Sequence, residues 1–94
     1  MKDLQLYNKN VFFLVKDENI RQLAKWGVQD MEPFEWMNVT TEEVGEMAKA
    51  INDHHHGRGP ASEVVKESIQ AATLCLKIAE MYLNEEKPKE AKTK

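Results

Sequence analysis

Apolar positions along this chain recur at helical rather than strand spacing, in three groups separated by glycine and proline. The first group lies in residues 17–26 (DENIRQLAKW), a short helix with Asp17 as its N-cap and Gly27 as its stop. The run before it, residues 11–15 (VFFLV), either extends that helix or forms an irregular arm. Five consecutive apolar residues carry no period that decides between the two. Residues 28–33 (VQDMEP) read as a loop. A second helix is expected from Phe34 or Asn38 to about Asp53, and residues 54–60 (HHHGRGP) break the chain. A third helix starts near Ala61 or Ser62, capped by Ser62 or led by Pro60, and continues to about Leu83. The stretch 84–94 (NEEKPKEAKTK) has Ala91 as its one apolar residue and reads as a disordered charged tail. The expected organisation is therefore an arm or helix extension over 1–16, one helical domain over 17–83, and the tail.

Helical projection sorts the faces. On the second helix Met37, Thr40, Val44, Met47 and Ile51 share one side. Glu42 points away from it, while Glu43 and Glu46 sit one turn apart on its flank. On the third helix apolar residues, from Val64 and Val65 through Leu74, Leu76, Ile78 and Leu83, occupy most of the circumference. A helix apolar over so much of its surface has to be covered on several sides. With 94 residues in total, two further helices can hardly supply that cover. The expectation is an all-α fold, a small helical bundle completed by oligomerisation into a homodimer or homotetramer.

Charge and composition narrow the function classes. A net charge of -3 with scattered Lys and Arg leaves no cationic stripe for duplex nucleic acid. VFFLV is far too short to span a membrane and nothing resembles a leader, so a cytoplasmic setting is expected. The single cysteine, Cys75, lies in an apolar run and reads as a small buried hydrophobe.

The candidate chemistry is acidic. Glu67 falls on the same side of the third helix as Ala71, Leu74 and Ile78, and a carboxylate inside an apolar stripe needs a cation or hydrogen bonds. Glu43 and Glu46 can face it across a helix–helix interface. Carboxylates that converge this way raise one another's pKa, and a hard dication such as Mg²⁺, with Mn²⁺ as the alternative, relieves them. A solvated glutamate face, with Glu67 paired to Lys49 or Arg58, is the competing explanation.

These residues carry a family resemblance. Glu42-Glu43-Val44-Gly45-Glu46 resembles the E-E-x-x-E motif of MazG-like nucleotide pyrophosphohydrolases. Glu67-Ser68-Ile69-Gln70 stands where that family has E-x-x-D. The segment from Arg21 to Gln29 (RQLAKWGVQ) is similar to the R-Q-x-x-K-W-G-x-Q segment of one MazG-like branch, whose later motif tends to read E-x-x-Q. The resemblance covers about residues 19–83. It implies an all-α oligomer that hydrolyses nucleoside triphosphates to monophosphate and pyrophosphate with Mg²⁺. Glu43, Glu46 and Glu67 would be metal ligands, with Glu42 in support or orienting water. Gln70 would coordinate through its carbonyl or hold a metal-bound water, and it withdraws one negative charge.

Other residues fit around that site. Arg21, Lys25 and Lys49 are candidates for phosphate contact. Trp26 is a candidate for stacking on a base, with Gln29 or Asp30 on the base edge. Trp36 reads as a core anchor, and Met31, Met37, Met47 and Met81 as core filler. Three adjacent histidines, His54–His56, cannot easily converge on one ion. They read as an exposed loop, or as phosphate contacts beside Arg58. The expected function is nucleotide pool cleaning by a Mg²⁺-dependent pyrophosphohydrolase. The alternative is a catalytically weakened MazG-like module that binds a nucleotide or a protein partner. A phosphoribosyl-ATP pyrophosphohydrolase also uses an acidic helix pair, but no segment here selects it.

Overall fold

The computed structural model describes Leu4, Leu6, Asn8 and residues 10–86, and all of its regular structure is helical: α1 (Asn10–Trp26), α2 (Pro33–His55) and α3 (Ala61–Glu85). No strand occurs among the described residues, and none of their helices is long and apolar enough to cross a membrane. The VFFLV run is helical. Asn8 starts α1 by accepting the Asn10 amide on Oδ1 (3.0 Å) and the Val11 amide on its carbonyl (3.1 Å). Asp17 therefore lies in mid-helix rather than at an N-cap. Gly27 ends α1 as expected: its φ of 72° is the left-handed turn that glycine adopts without a Cβ clash, and its N–H closes on Leu23 O at 2.8 Å.

α2 begins earlier than the apolar pattern suggested because Pro33 occupies its first turn, where a missing N–H costs nothing. The Glu35 carboxylate reaches back to the Glu32 amide at 2.9 Å and fixes that end. His54 and His55 belong to the last turn and His56 is the C-cap, so the break is shorter than 54–60. It is also well tied. His54 Nδ1 lies 3.0 Å from Gly59 O, and Asp53 accepts the Arg58 amide on its carbonyl at 2.7 Å. α3 is led by Pro60, and Ser62 makes no cap. It runs to Glu85, so the expected tail begins later than 84, and residues 87–94 lie outside the described set.

α2 packs along α3, and α1 packs on α3 alone. The core is small: among the described hydrophobic side chains Trp36 (6% exposed), Ala71 and Leu74 (4%) are buried. Thr40 and Thr73 are buried with them. Each satisfies its hydroxyl on its own helix, at Trp36 O and Ile69 O, 2.8 Å in both cases. The α2 face turned to α3 thus centres on Trp36, Thr40 and Glu43, a rotation away from the apolar stripe read from the sequence. Met37, Val44 and Ile51, at seven-residue spacing, are 52%, 48% and 46% exposed. Cys75 is exposed rather than buried, because no neighbouring element covers its side of α3. Met31, Met47 and Met81 are half-buried.

Candidate functional site

Because α1 and α2 both lean on α3 without packing on each other, a cleft opens between them with α3 as its floor. It encloses about 250 Å³. Glu18, Arg21 and Trp26 come from α1, Trp36, Val39 and Glu43 from α2, and Gln70 and Leu74 from α3, with Gln29 and Met31 from the connecting loop.

The acidic residues meet at its edge. The Gln70 side-chain amide sits 2.9 Å from Glu43 Oε2 and 2.8 Å from Glu67 Oε2. Both neighbours accept and cannot donate when ionised, so the atom between them is the amide nitrogen. One –NH₂ group thereby ties a carboxylate of α2 to a carboxylate of α3. Glu46 lies near enough to act on Glu43 by its charge. It faces a second depression, of about 190 Å³, lined also by Lys49, Asp53, Arg58 and Glu67. Glu42 is exposed and lines neither cavity.

Glu18 joins this cluster from α1, and sequence reasoning passed over it. Its side chain is 9% exposed and receives Arg21 Nε at 2.9 Å, the second Arg21 nitrogen at 2.7 Å, and Gln22 Nε2 at 2.8 Å. The i+3 and i+4 spacing of Arg21 and Gln22 was the available signal. It was hidden by treating residue 17 as a helix end. Burial pushes the Glu18 carboxyl up, but those hydrogen bonds and the charges of Arg21 and Lys77 outweigh it and hold it low. Glu43 goes the other way. Burial first, then the charges of Glu67, Glu46 and Glu18, raise it above its ordinary value, against a smaller pull from Arg21.

The two shifts give opposite pH dependences. Glu18 supplies stability above pH 4.5 that is lost as pH falls through its depressed native value. Glu43 holds its proton more tightly folded than unfolded, so stability falls as pH rises from 4.5 through its raised native value. That penalty grows as pH rises toward neutrality. Glu43→Gln is therefore expected to raise the melting temperature by a few degrees at pH 7.5, with a smaller gain at pH 4. Circular dichroism melts of both proteins check this, and a variant that melts lower at pH 7.5 contradicts the cause given for Glu43.

The remaining expected site residues divide. Trp26 and Gln29 line the cleft, and Lys25 Nζ lies over the Trp26 ring, 4.5 Å from its centroid. Arg21 lines the cleft too, but its guanidinium is engaged by Glu18 rather than free for phosphate. Asp30 does not line it. Lys49 pairs with Asp53 at 3.2 Å, as does Arg58 at 3.4 Å, so neither neutralises Glu67 by a direct ion pair. Gln70 takes that place.

The donor set suits a hard dication: side-chain oxygens from two helices, with Glu43 held at a charge it resists. As the side chains stand, no three His, Cys, Asp or Glu residues of the described set are gathered around one ion position. The Gln70 amide fills the gap between Glu43 and Glu67. Loading a cation there means turning that amide so that its carbonyl faces the site, a rotation about a terminal torsion with broad preferences.

Comparison with known proteins returns no match, whether to a family model, to a curated relative or to a solved structure.

Proposed function

We propose that this chain is a Mg²⁺-dependent nucleoside triphosphate pyrophosphohydrolase of the MazG-like type, releasing monophosphate and pyrophosphate. The observation that carries the reading is the juncture of Glu43, Gln70 and Glu67, made by two helices at the boundary of two cavities of different chemistry. On one side is the cleft walled by Trp26 and Trp36, suited to a base. On the other is a depression whose Lys49 and Arg58 are paired with Asp53 and whose lining also holds Glu46, Glu63 and Glu67, so it would take phosphate oxygens once a cation offsets that acidity. A nucleotide laid across the juncture puts its phosphoanhydride chain over the carboxylates.

In that reading Glu43, Glu67 and Glu46, with the Gln70 carbonyl, hold the cation. Bound there, Mg²⁺ would neutralise phosphate charge and acidify a water. The protein's own part is positional and basic. Trp26 and Gln29 bind the base, Arg58 and Lys49 turn from Asp53 to orient the phosphates, and Arg21 fixes Glu18. A carboxylate of this cluster that the cation leaves uncoordinated would accept a proton from the attacking water. Water then adds at phosphorus, the phosphoanhydride P–O bond breaks, and pyrophosphate leaves with the bonding pair.

The exposed heptad stripe Met37–Val44–Ile51 on α2 and the exposed Val65 and Leu83 on α3 form apolar surface of the kind that helix pairs bury. They support a homodimer or homotetramer. Sedimentation at micromolar concentration is expected to show one of these, and a stable monomer contradicts it.

The second reading, a module that binds without turnover, draws on the same amide. Gln70 satisfies Glu43 and Glu67 without any cation, and it brings one charge fewer than an aspartate. Thermal shift with Mg²⁺ and an α,β-imido nucleotide tests the proposal. Ligand at 100 times its Kd adds about 2.7 kcal/mol, so Mg²⁺ and analogue together are expected to shift the melting temperature well beyond either alone. An analogue shift that is indifferent to Mg²⁺ counts against the metal-dependent reading.

A further inference from the structure

Lys77 is drawn into the fold in a way no other described cation is. Arg21, Lys49, Arg58 and Lys66 each have a carboxylate within 4 Å, and Lys16 and Lys25 are exposed. Lys77 is half-buried, donates to Gln22 Oε1 at 2.7 Å, and lies 5.5 Å from the centroid of the Trp36 ring. An amide oxygen and an aromatic face attract a cation but do not balance its charge. Glu18, beyond Gln22, is already engaged by Arg21 and by the Gln22 amide nitrogen. Burial accordingly pushes the Lys77 ammonium below its ordinary value, with Glu18 only partly offsetting it.

This ammonium lines a groove of about 460 Å³ between α1 and α3, which adjoins the carboxylate cleft and shares Gln22, Gln29 and Trp36 with it as walls. Its walls include Val15, Leu23, Leu76 and Met81, and its charged lining is Lys16, Lys77 and Glu80, two cations to one carboxylate. Apolar walls with an unbalanced cation are complementary to an anion that carries an apolar body. We propose that the α1–α3 groove is a second binding site, for an alkyl carboxylate whose head pairs with Lys77 and whose chain lies along Val15, Leu23, Leu76 and Met81.

Calorimetric titration of the full chain with decanoate, and with decanol as the neutral isostere, tests this. One saturable site per chain is expected, with decanol at least tenfold weaker. Lys77→Met should weaken decanoate at least tenfold, and Lys77→Arg should retain it. Equal binding of decanoate by Lys77→Met, or of decanol by the unaltered chain, overturns the proposal. No binding at all overturns it too, as when a second copy of the chain covers the groove. If Lys77→Met loses its helical circular dichroism, the decanoate–decanol ratio on the unaltered chain decides. A groove-filling Leu23→Trp, with Lys77 intact, should also abolish binding, and its failure to do so places the ligand elsewhere.

Discussion

Trp36→Ala is expected to destabilise the chain by about 3–5 kcal/mol, roughly a third to a half of its net stability. The size follows from how little else is buried. A chain of this length holds a net stability of only ~0.1 kcal/mol per residue, and Trp36 shares its hydrophobic core with Ala71 and Leu74 alone among the described residues. The indole also separates the two principal cavities and lies beneath the Lys77 ammonium. Its loss would merge the cavities. Urea unfolding followed by circular dichroism measures the effect. A loss below about 0.5 kcal/mol, the range of an ordinary surface change, would show that the core lies elsewhere, for instance across a subunit interface.

Glu67→Ala carries the second large effect, this time on turnover. Losing a ligand and leaving Glu43 with an unanchored Gln70 is expected to remove about 4 kcal/mol of transition-state stabilisation, roughly a 10³-fold fall in kcat/KM. Thermal stability should stay near that of the parent, because the change also relieves carboxylate repulsion on Glu43. Gln70→Asp is the complementary variant. It exchanges a donor between two carboxylates for a third carboxylate, so the metal-free protein should lose stability while Mg²⁺ binding tightens. Isothermal titration with Mg²⁺ reads both variants. Unaltered Mg²⁺ affinity in both would place the metal away from this juncture.

Much of this arrangement was legible before any coordinates. Glu67 stood out because a carboxylate in the apolar stripe of α3 demands a partner, although that partner is the Gln70 amide rather than Lys49 or Arg58. The core role of Trp36 was legible too, as were the glycine stop at 27 and the three-helix order. What escaped has a common physical origin. Patterns along one helix rank its faces by polarity, but which face is buried depends on where the neighbour leans. Met37, Val44 and Ile51 form the most regular apolar stripe of α2, yet it is about half exposed, and Cys75 is uncovered for a similar reason. Glu18 escaped through a boundary error: five apolar residues without periodicity hid the first turns of α1, and with them the Glu18–Arg21–Gln22 network. Gln70 was read as a metal ligand by position. Its bridging of two carboxylates is a three-body contact between helices that no spacing rule along one chain encodes.

The measurement that bears most directly on the proposed activity is pyrophosphate release from a panel of standard and modified NTPs and dNTPs, with Mg²⁺, with Mn²⁺ and with EDTA. Release with one or more of them is expected, with equimolar monophosphate, and silence in EDTA or with Glu67→Ala. A folded, oligomeric protein that releases nothing from any member of the panel, or that releases pyrophosphate undiminished in EDTA, would contradict it.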